Sequence, residues 1–147
     1  MPLAQRRAEV VWEGDLMNGQ GRVSTGSGVL REVPVTWKAR AIEPDSITSP
    51  EELIAAAHAS CFSMALSGEL ARRGTPPQQL RVSAVCTFDR VDDKPTITSV
   101  ELDVRGRVAG LDEAGFEQAA RAAGEGCPVS RALKGNVDIR VHSLLEK

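Results

Sequence analysis

No run of about 18 or more uninterrupted apolar residues occurs in this chain, which argues against a membrane-spanning helix. The most apolar segment, Leu53 to Leu66, is broken by His58, Ser60 and Ser63. Nor is there a long run of Lys and Arg. The 18 basic residues stand against 20 acidic ones, for a formal charge of −2, whereas a nucleic-acid binder concentrates basic charge on one face. The first ten residues hold Arg6 and Arg7 but no apolar core, so they do not read as a secretory signal. Metal ligands are scarce: the histidines are His58 and His142, and no Cys-x-x-Cys pair exists, so no metal site is expected. Cysteine is limited to Cys61, Cys86 and Cys127. That is an odd number and suits reactive or buried thiols in a cytoplasmic chain better than a disulfide scaffold. At least one of them, Cys86 by its position, is expected to have no partner within the chain.

What is present fits a single globular domain spanning residues 1–147. Hydrophobic residues make up 41% and charged residues 26% of the chain, too much of the former for disorder as the main state. The first forty residues read as a three-stranded meander. Ala8 to Trp12 and Gly28 to Trp37 are rich in Val, Trp and Thr, with Gly19, Gly21, Gly26 and Gly28 punctuating the region. Ser49-Pro50-Glu51-Glu52 carries an N-cap, a first-turn proline and a capping-box glutamate, which predicts a helix from about Pro50 to about Arg73, stopped by Gly74. Its middle is apolar nearly all round, so burial is expected. Val82, Ala84, Cys86 and Phe88 alternate with polar residues, as do Val100, Leu102 and Val104, and Asp92-Asp93-Lys94-Pro95 between them predicts a hairpin. An amphipathic helix over Leu111 to Ala123, a short helix from Pro128 to about Leu133 and a closing strand over Val137 to Leu145 complete the chain. The order β-β-β-α-β-β-α-α-β implies an α+β fold with antiparallel sheets around a long buried central helix.

Three residues along this frame invite chemistry. Cys61, among Ala57, Ala59, Phe62 and Ala65, reads either as a small core hydrophobe or as a nucleophile. Burial alone raises a thiol's pKa, so a reactive Cys61 requires a cation close by. Cys127 lies in Gly124-Glu125-Gly126-Cys127-Pro128, ahead of a proline-initiated helix, where exposed amides favour a thiolate. The plainer reading is a capping residue without chemistry. His58 precedes Cys61 by three residues and shares its helix face. A Cys–His nucleophile pair is one reading, and a buried histidine satisfied by a backbone or side-chain partner is the other. Cys86, on the apolar face of a strand, reads as core.

The segment Pro50-Glu51-Glu52-Leu53-Ile54-Ala55-Ala56-Ala57-His58-Ala59-Ser60-Cys61-Phe62-Ser63-Met64-Ala65-Leu66-Ser67 resembles the signature of the OsmC/Ohr peroxidases, and Gly126-Cys127-Pro128-Val129-Ser130 resembles their second cysteine motif. Trp12-Glu13-Gly14-Asp15 and the Gly21 to Gly28 region are similar to the OsmC branch. The resemblance implies an intertwined α+β homodimer and a cysteine-based peroxidase acting on organic hydroperoxides. It implies that Cys61 is the peroxidatic cysteine and Cys127 the resolving one, with a disulfide between them. It also implies an arginine and a glutamate that hold the thiolate. The glutamate falls on Glu51. The arginine falls on Arg40, at the tail of the strand before the long helix, or on Arg22 if the Ohr pattern applies. No cofactor is implied, and the reductant is an external dithiol, in this family a lipoylated protein.

One geometric point stands apart from the resemblance. Glu51 and Cys61 are ten residues apart on one helix, hence about 15 Å apart in rise. They can serve one site only if two copies of the helix cross, with Ala55, Ala56, Ala57 and Ala59 permitting close approach. Two alternatives stay open on sequence alone: a Cys61–His58 hydrolase, and a non-catalytic ligand-binding stress protein on the same fold.

Overall fold

Local sequence chemistry explains most of the element boundaries in the structure, a computed structural model that describes residues 1–147. The chain divides into two compact units, residues 1–50 and 51–147. In the first, β1 (Ala8–Glu13), β2 (Gln20–Thr25) and β3 (Val33–Val35) form the expected antiparallel meander in the order β1-β2-β3. The third strand is shorter than its composition suggests, because Glu32 is left-handed (φ 48°) just before it and Thr36 ends it. Thr36 accepts a hydrogen bond from the Ala39 amide at 3.1 Å and so caps a short helix, α1 (Trp37–Ala41). Arg40 therefore sits on a helix. The strand tail expected for it gives way to this helix because of the Thr36 cap.

In the second unit α2 (Pro50–Arg72) begins at the proline, as expected. Its end is a Schellman motif: Gly74 is left-handed (φ 82°) and donates to Ala71 O at 3.0 Å, while Thr75 donates to Leu70 O at 2.9 Å. By length and composition α2 is apolar enough to cross a membrane, with a mean hydropathy of 1.3 over its richest window. What it buries, however, is a stripe at four-residue spacing, His58, Phe62, Leu66 and Leu70, packed into the core of its unit. The opposite face is open, Met64 being 71% exposed. The all-round burial expected of this helix is thus only half present within one chain.

The strands β4 (Gln79–Val91) and β5 (Lys94–Arg107) form a hairpin whose two turn residues, Asp92 and Asp93, both have positive φ. That is the turn whose twist matches paired strands. Val100, Leu102 and Val104 point to the core, as their alternation predicts. The last strand, β6 (Asp138–Leu145), pairs with β5 in parallel, which corrects the expectation of purely antiparallel sheets. The helices α3 (Glu113–Gly126) and α4 (Pro128–Leu133) lie between β5 and β6 in sequence and supply the crossover that parallel pairing needs.

The glycines at 124 and 126 do not end α3 where the sequence suggested. Backbone bonding continues to Cys127, whose amide donates to Ala123 O at 2.8 Å. Pro128 is the terminator, because the residue before a proline is pushed out of helical geometry, and Cys127 has φ −64° and ψ 118°. The core of the unit gathers Phe62 and Leu66 from α2, Val100 and Leu102 from β5, Phe116 and Ala119 from α3, and Cys127.

Candidate active site

The two cysteines singled out by sequence meet. Cys61 rides on α2 beside the buried Phe62, and Cys127 occupies the break between α3 and α4. Pro128 makes that break just after Cys127, whose amide still bonds Ala123 O in α3, and the Arg131 amide bonds Cys127 O at 2.9 Å to begin α4. The two sulfurs lie 3.3 Å apart as free thiols. Their exposure differs: Cys127 is fully buried, while Cys61 lines an open groove of about 500 Å³ between α2 and the end of α3. Met64, Ala65, Ala122 and Pro128 make its walls apolar, and Arg72 stands at one end, paired to Glu69 at 2.7 Å.

Electrostatics separates the two thiols further. Burial pushes the Cys61 pKa up and the neighbouring Cys127 adds to this, with the Val129 amide opposing. Burial acts on Cys127 in the same sense but is outweighed by the Ser130 amide and hydroxyl, by Cys61 and by the Val129 amide, so its pKa falls below the ordinary thiol value. A thiolate on Cys61 needs a cation from outside this cluster, as its buried setting in the sequence implied. Cys86 is packed against the core, and its pKa is raised by burial and then by the Glu51 charge.

His58 is fully buried, and its Nε2 lies 2.7 Å from Ser130 Oγ. Its Nδ1 is buried with no hydrogen-bond partner. Neither ring nitrogen bonds Cys61, so the Cys–His pair considered from sequence does not form. Burial lowers the His58 pKa and keeps the ring neutral.

Glu51 is buried at the start of α2, only 6% exposed. Arg40 belongs to the unit of residues 1–50, its guanidinium carbon 6.0 Å from the Trp37 ring centroid, within cation–π range. Arg22 lies in the same unit and is ion-paired with Glu13 on the exposed surface. No group of three or more His, Cys, Asp or Glu side chains is arranged to hold a metal ion. Sequence reasoning missed two residues here. Ser130 was visible only as the end of the second cysteine motif, three positions after Cys127. Arg72 stands in the sequence as a helix-terminal cation, yet eleven residues after Cys61, three helical turns, is close to the same face.

The model of the OsmC-like protein family matches residues 43–142. Peroxiredoxin OsmC of Escherichia coli is 41% identical over 134 residues, covering 91% of this chain and 93% of its own length. Organic hydroperoxide resistance protein OhrA of Bacillus subtilis is 31% identical over 122 residues, covering 82% and 84%. Among solved structures, that of the organic hydroperoxide resistance protein OhrB of Bacillus subtilis superposes with a TM-score of 0.75 at 26% identity, covering 94% of this chain and 98% of that one.

Proposed function

The chain belongs to the OsmC-like protein family, and from that membership we propose that it is a thiol-dependent peroxidase reducing organic hydroperoxides to alcohols. The observation that carries the reading is the pair of sulfurs 3.3 Å apart, one at an open apolar groove and one buried behind it. In the proposed cycle the Cys61 thiolate attacks the distal peroxide oxygen. The O–O bond breaks, the alkoxide leaves and takes a proton, and Cys61 becomes a sulfenic acid. Cys127 then displaces hydroxide from Cys61 sulfur, giving a disulfide and water. An external dithiol reopens that bond by exchange, and a lipoylated protein is the reductant proposed from the family. The electrons come from thiols throughout, so the scheme calls for no cofactor.

Arg40 is the proposed cation that draws the first charge onto Cys61 and orients the peroxide, with Glu51 holding Arg40 by a charge-assisted bond. Arg22 is the fallback. Ten residues along α2 separate Glu51 from Cys61, so we assign the function to a homodimer in which crossing α2 helices bring Glu51 of one copy to Cys61 of the other. The exposed Met64 face of α2 is consistent with such a crossing. The whole of residues 1–147 is taken as one domain of this type, working in the cytoplasm, where a reducing pool can regenerate the thiols. His58 turned toward Ser130 speaks against the hydrolase alternative.

Consumption of cumene hydroperoxide by wild type, Cys61→Ser and Cys127→Ser, with a dithiol supplied and the cysteines followed by mass spectrometry, tests the reading. Loss of activity in Cys61→Ser and a Cys61–Cys127 bond in wild type are expected. Unchanged consumption without that bond overturns it. Arg40→Ala and Arg22→Ala, in the same assay, decide between the two arginines.

A further inference from the structure

His58 is a buried titratable side chain that the steps above leave unused. A buried N–H without an acceptor is rarer and costlier than an acceptor left unfilled. Since Nδ1 has no partner, we assign the tautomer in which Nδ1 keeps the lone pair and Nε2 carries the hydrogen. Nε2–H then donates to Ser130 Oγ at 2.7 Å. Were the serine the donor, the neutral ring would bury a bare Nδ1–H. Held in this way, the Ser130 hydroxyl hydrogen is free to point elsewhere. Ser130 is the third residue of α4 and Cys127 is the residue capping it, so the two lie within one helical turn of each other. Both Ser130 and Cys127 are buried.

We propose that His58 and Ser130 form a relay that positions Cys127 as the nucleophile of disulfide formation, with His58 Nε2–H fixing Ser130 and the Ser130 hydroxyl donating to Cys127 Sγ. The step rests on the peroxidase reading; the His58–Ser130 contact does not. In that step the Cys127 electron pair attacks Cys61 sulfur, the S–S bond forms and the S–O bond of the sulfenic acid breaks. Hydroxide leaves and takes the proton that Cys127 released, giving water, while Ser130 keeps its own proton throughout. The lowered pKa of Cys127, to which the Ser130 hydroxyl contributes, agrees with this direction of donation. Cys61 faces Cys127 from α2. The charged groups beside Ser130 are Arg121 and Glu125 of α3 and Arg131 and Lys134 around α4. All four are solvent-exposed and hence screened.

In a Cys61→Ser, Cys86→Ser background the ultraviolet absorbance of the thiolate reads the ionisation of Cys127 alone. Ser130→Ala is expected to raise its midpoint by about one pH unit, a roughly tenfold loss of thiolate. His58→Met raises it in the same direction, His58→Gln, which restores an N–H donor, returns it toward the parent, and the His58→Met, Ser130→Ala double variant goes no further than Ser130→Ala. An unmoved midpoint in Ser130→Ala, or shifts that add in full, overturns the relay. With native cysteines, trapping of the Cys61 sulfenic acid after one equivalent of peroxide separates the two readings. Resolution as fast in Ser130→Ala as in wild type sinks the relay and leaves the peroxidase standing. Absence of any sulfenic acid in wild type sinks the peroxidase, and the ionisation midpoints still judge the relay.

Discussion

Oxidising the Cys61–Cys127 pair should stabilise the folded chain, and by an amount the topology sets. The bond would close a loop across 66 residues of sequence separation. Chain-entropy arithmetic for a loop of that size removes about 4 kcal/mol of freedom from the unfolded state. Against this stands the cost of drawing the sulfurs from 3.3 Å to the bonded distance of about 2.05 Å. The move is small, and a modest side-chain rotation at Cys127 leaves its backbone bonds to Ala123 and Arg131 in place. Most of the gain should therefore survive. With an m-value near 2 kcal/mol/M, the urea midpoint of the oxidised chain is expected to lie up to roughly 2 M above the reduced one. The measurement is best made in a Cys86→Ser background, oxidised with one equivalent of cumene hydroperoxide. Far-UV circular dichroism is the suitable probe, since α2 and α3 report on residues 51–147 whereas Trp12 and Trp37 both lie in the unit of residues 1–50. Cys61→Ser, treated identically, serves as the control and should not respond. An oxidised midpoint equal to or below the reduced one would refute the reasoning. It would mean that the thiols must leave their present apposition, and that α4 unwinds, before the bond can form.

Two further expectations concern the frame around the sulfurs. His58 has a lowered pKa in the folded chain because it is buried, so below its ordinary value near 6.5 the unfolded chain binds the proton first. Stability should then fall with decreasing pH by up to about 1.4 kcal/mol per unit, from about pH 6.5 down to the folded value, and His58→Gln should remove this contribution in denaturant titrations at several pH values. Gly106→Ala on β5 would put a Cβ 2.5 Å from Phe116 Cζ, between α3 and the sheet. A cost of about 1–3 kcal/mol in urea unfolding is expected from such overpacking, with slower Cys61–Cys127 disulfide formation, because α3 carries Cys127 at its end.

Much of this architecture could be read from local chemistry. Pro50 and Gly74 bound α2 because a first-turn proline and a left-handed glycine act through the backbone alone. Asp92 and Asp93 set the β4–β5 turn for the same reason, and the Val100–Leu102–Val104 alternation declares its core face. What was not legible depended on partners distant in sequence or on competition between neighbours. The parallel pairing of β6 with β5 is a choice among sheet edges that no periodicity in Val137 to Leu145 encodes. The end of α3 was misplaced because Gly124 and Gly126 weaken a helix without forbidding it, whereas Pro128 forbids the helical conformation at Cys127. Thr36 looked like a strand residue by composition, yet its hydroxyl does the work of a cap, and Arg40 moves from strand to helix with it. The thiols were legible as residues, but their 3.3 Å apposition requires α3 to dock on α2, which long-range packing of Phe62 and Phe116 into one core decides.

Ser130 and His58 show why a site can be half visible. Neither carries a reactive signature, and 72 residues separate them. Their meaning comes from burial, which holds the ring and the hydroxyl against each other away from water. The same burial divides labour between the two sulfurs. The thiol reachable from the groove is the one whose local environment resists ionisation, and the thiol whose environment favours charge is sealed from substrate. If the chain reduces peroxides, the accessible thiol must borrow its charge stabilisation from another part of the protein, while the sealed one is ready to attack once its neighbour is oxidised. Such an arrangement ties the first step to a cation that can be supplied or withheld, and it keeps the sulfenic acid short-lived by placing its nucleophile in contact beforehand. Removing the cation should slow Cys61 oxidation and leave disulfide formation untouched, whereas removing Ser130 should do the reverse. That crossed pattern separates a two-thiol division of labour from a single activated pocket.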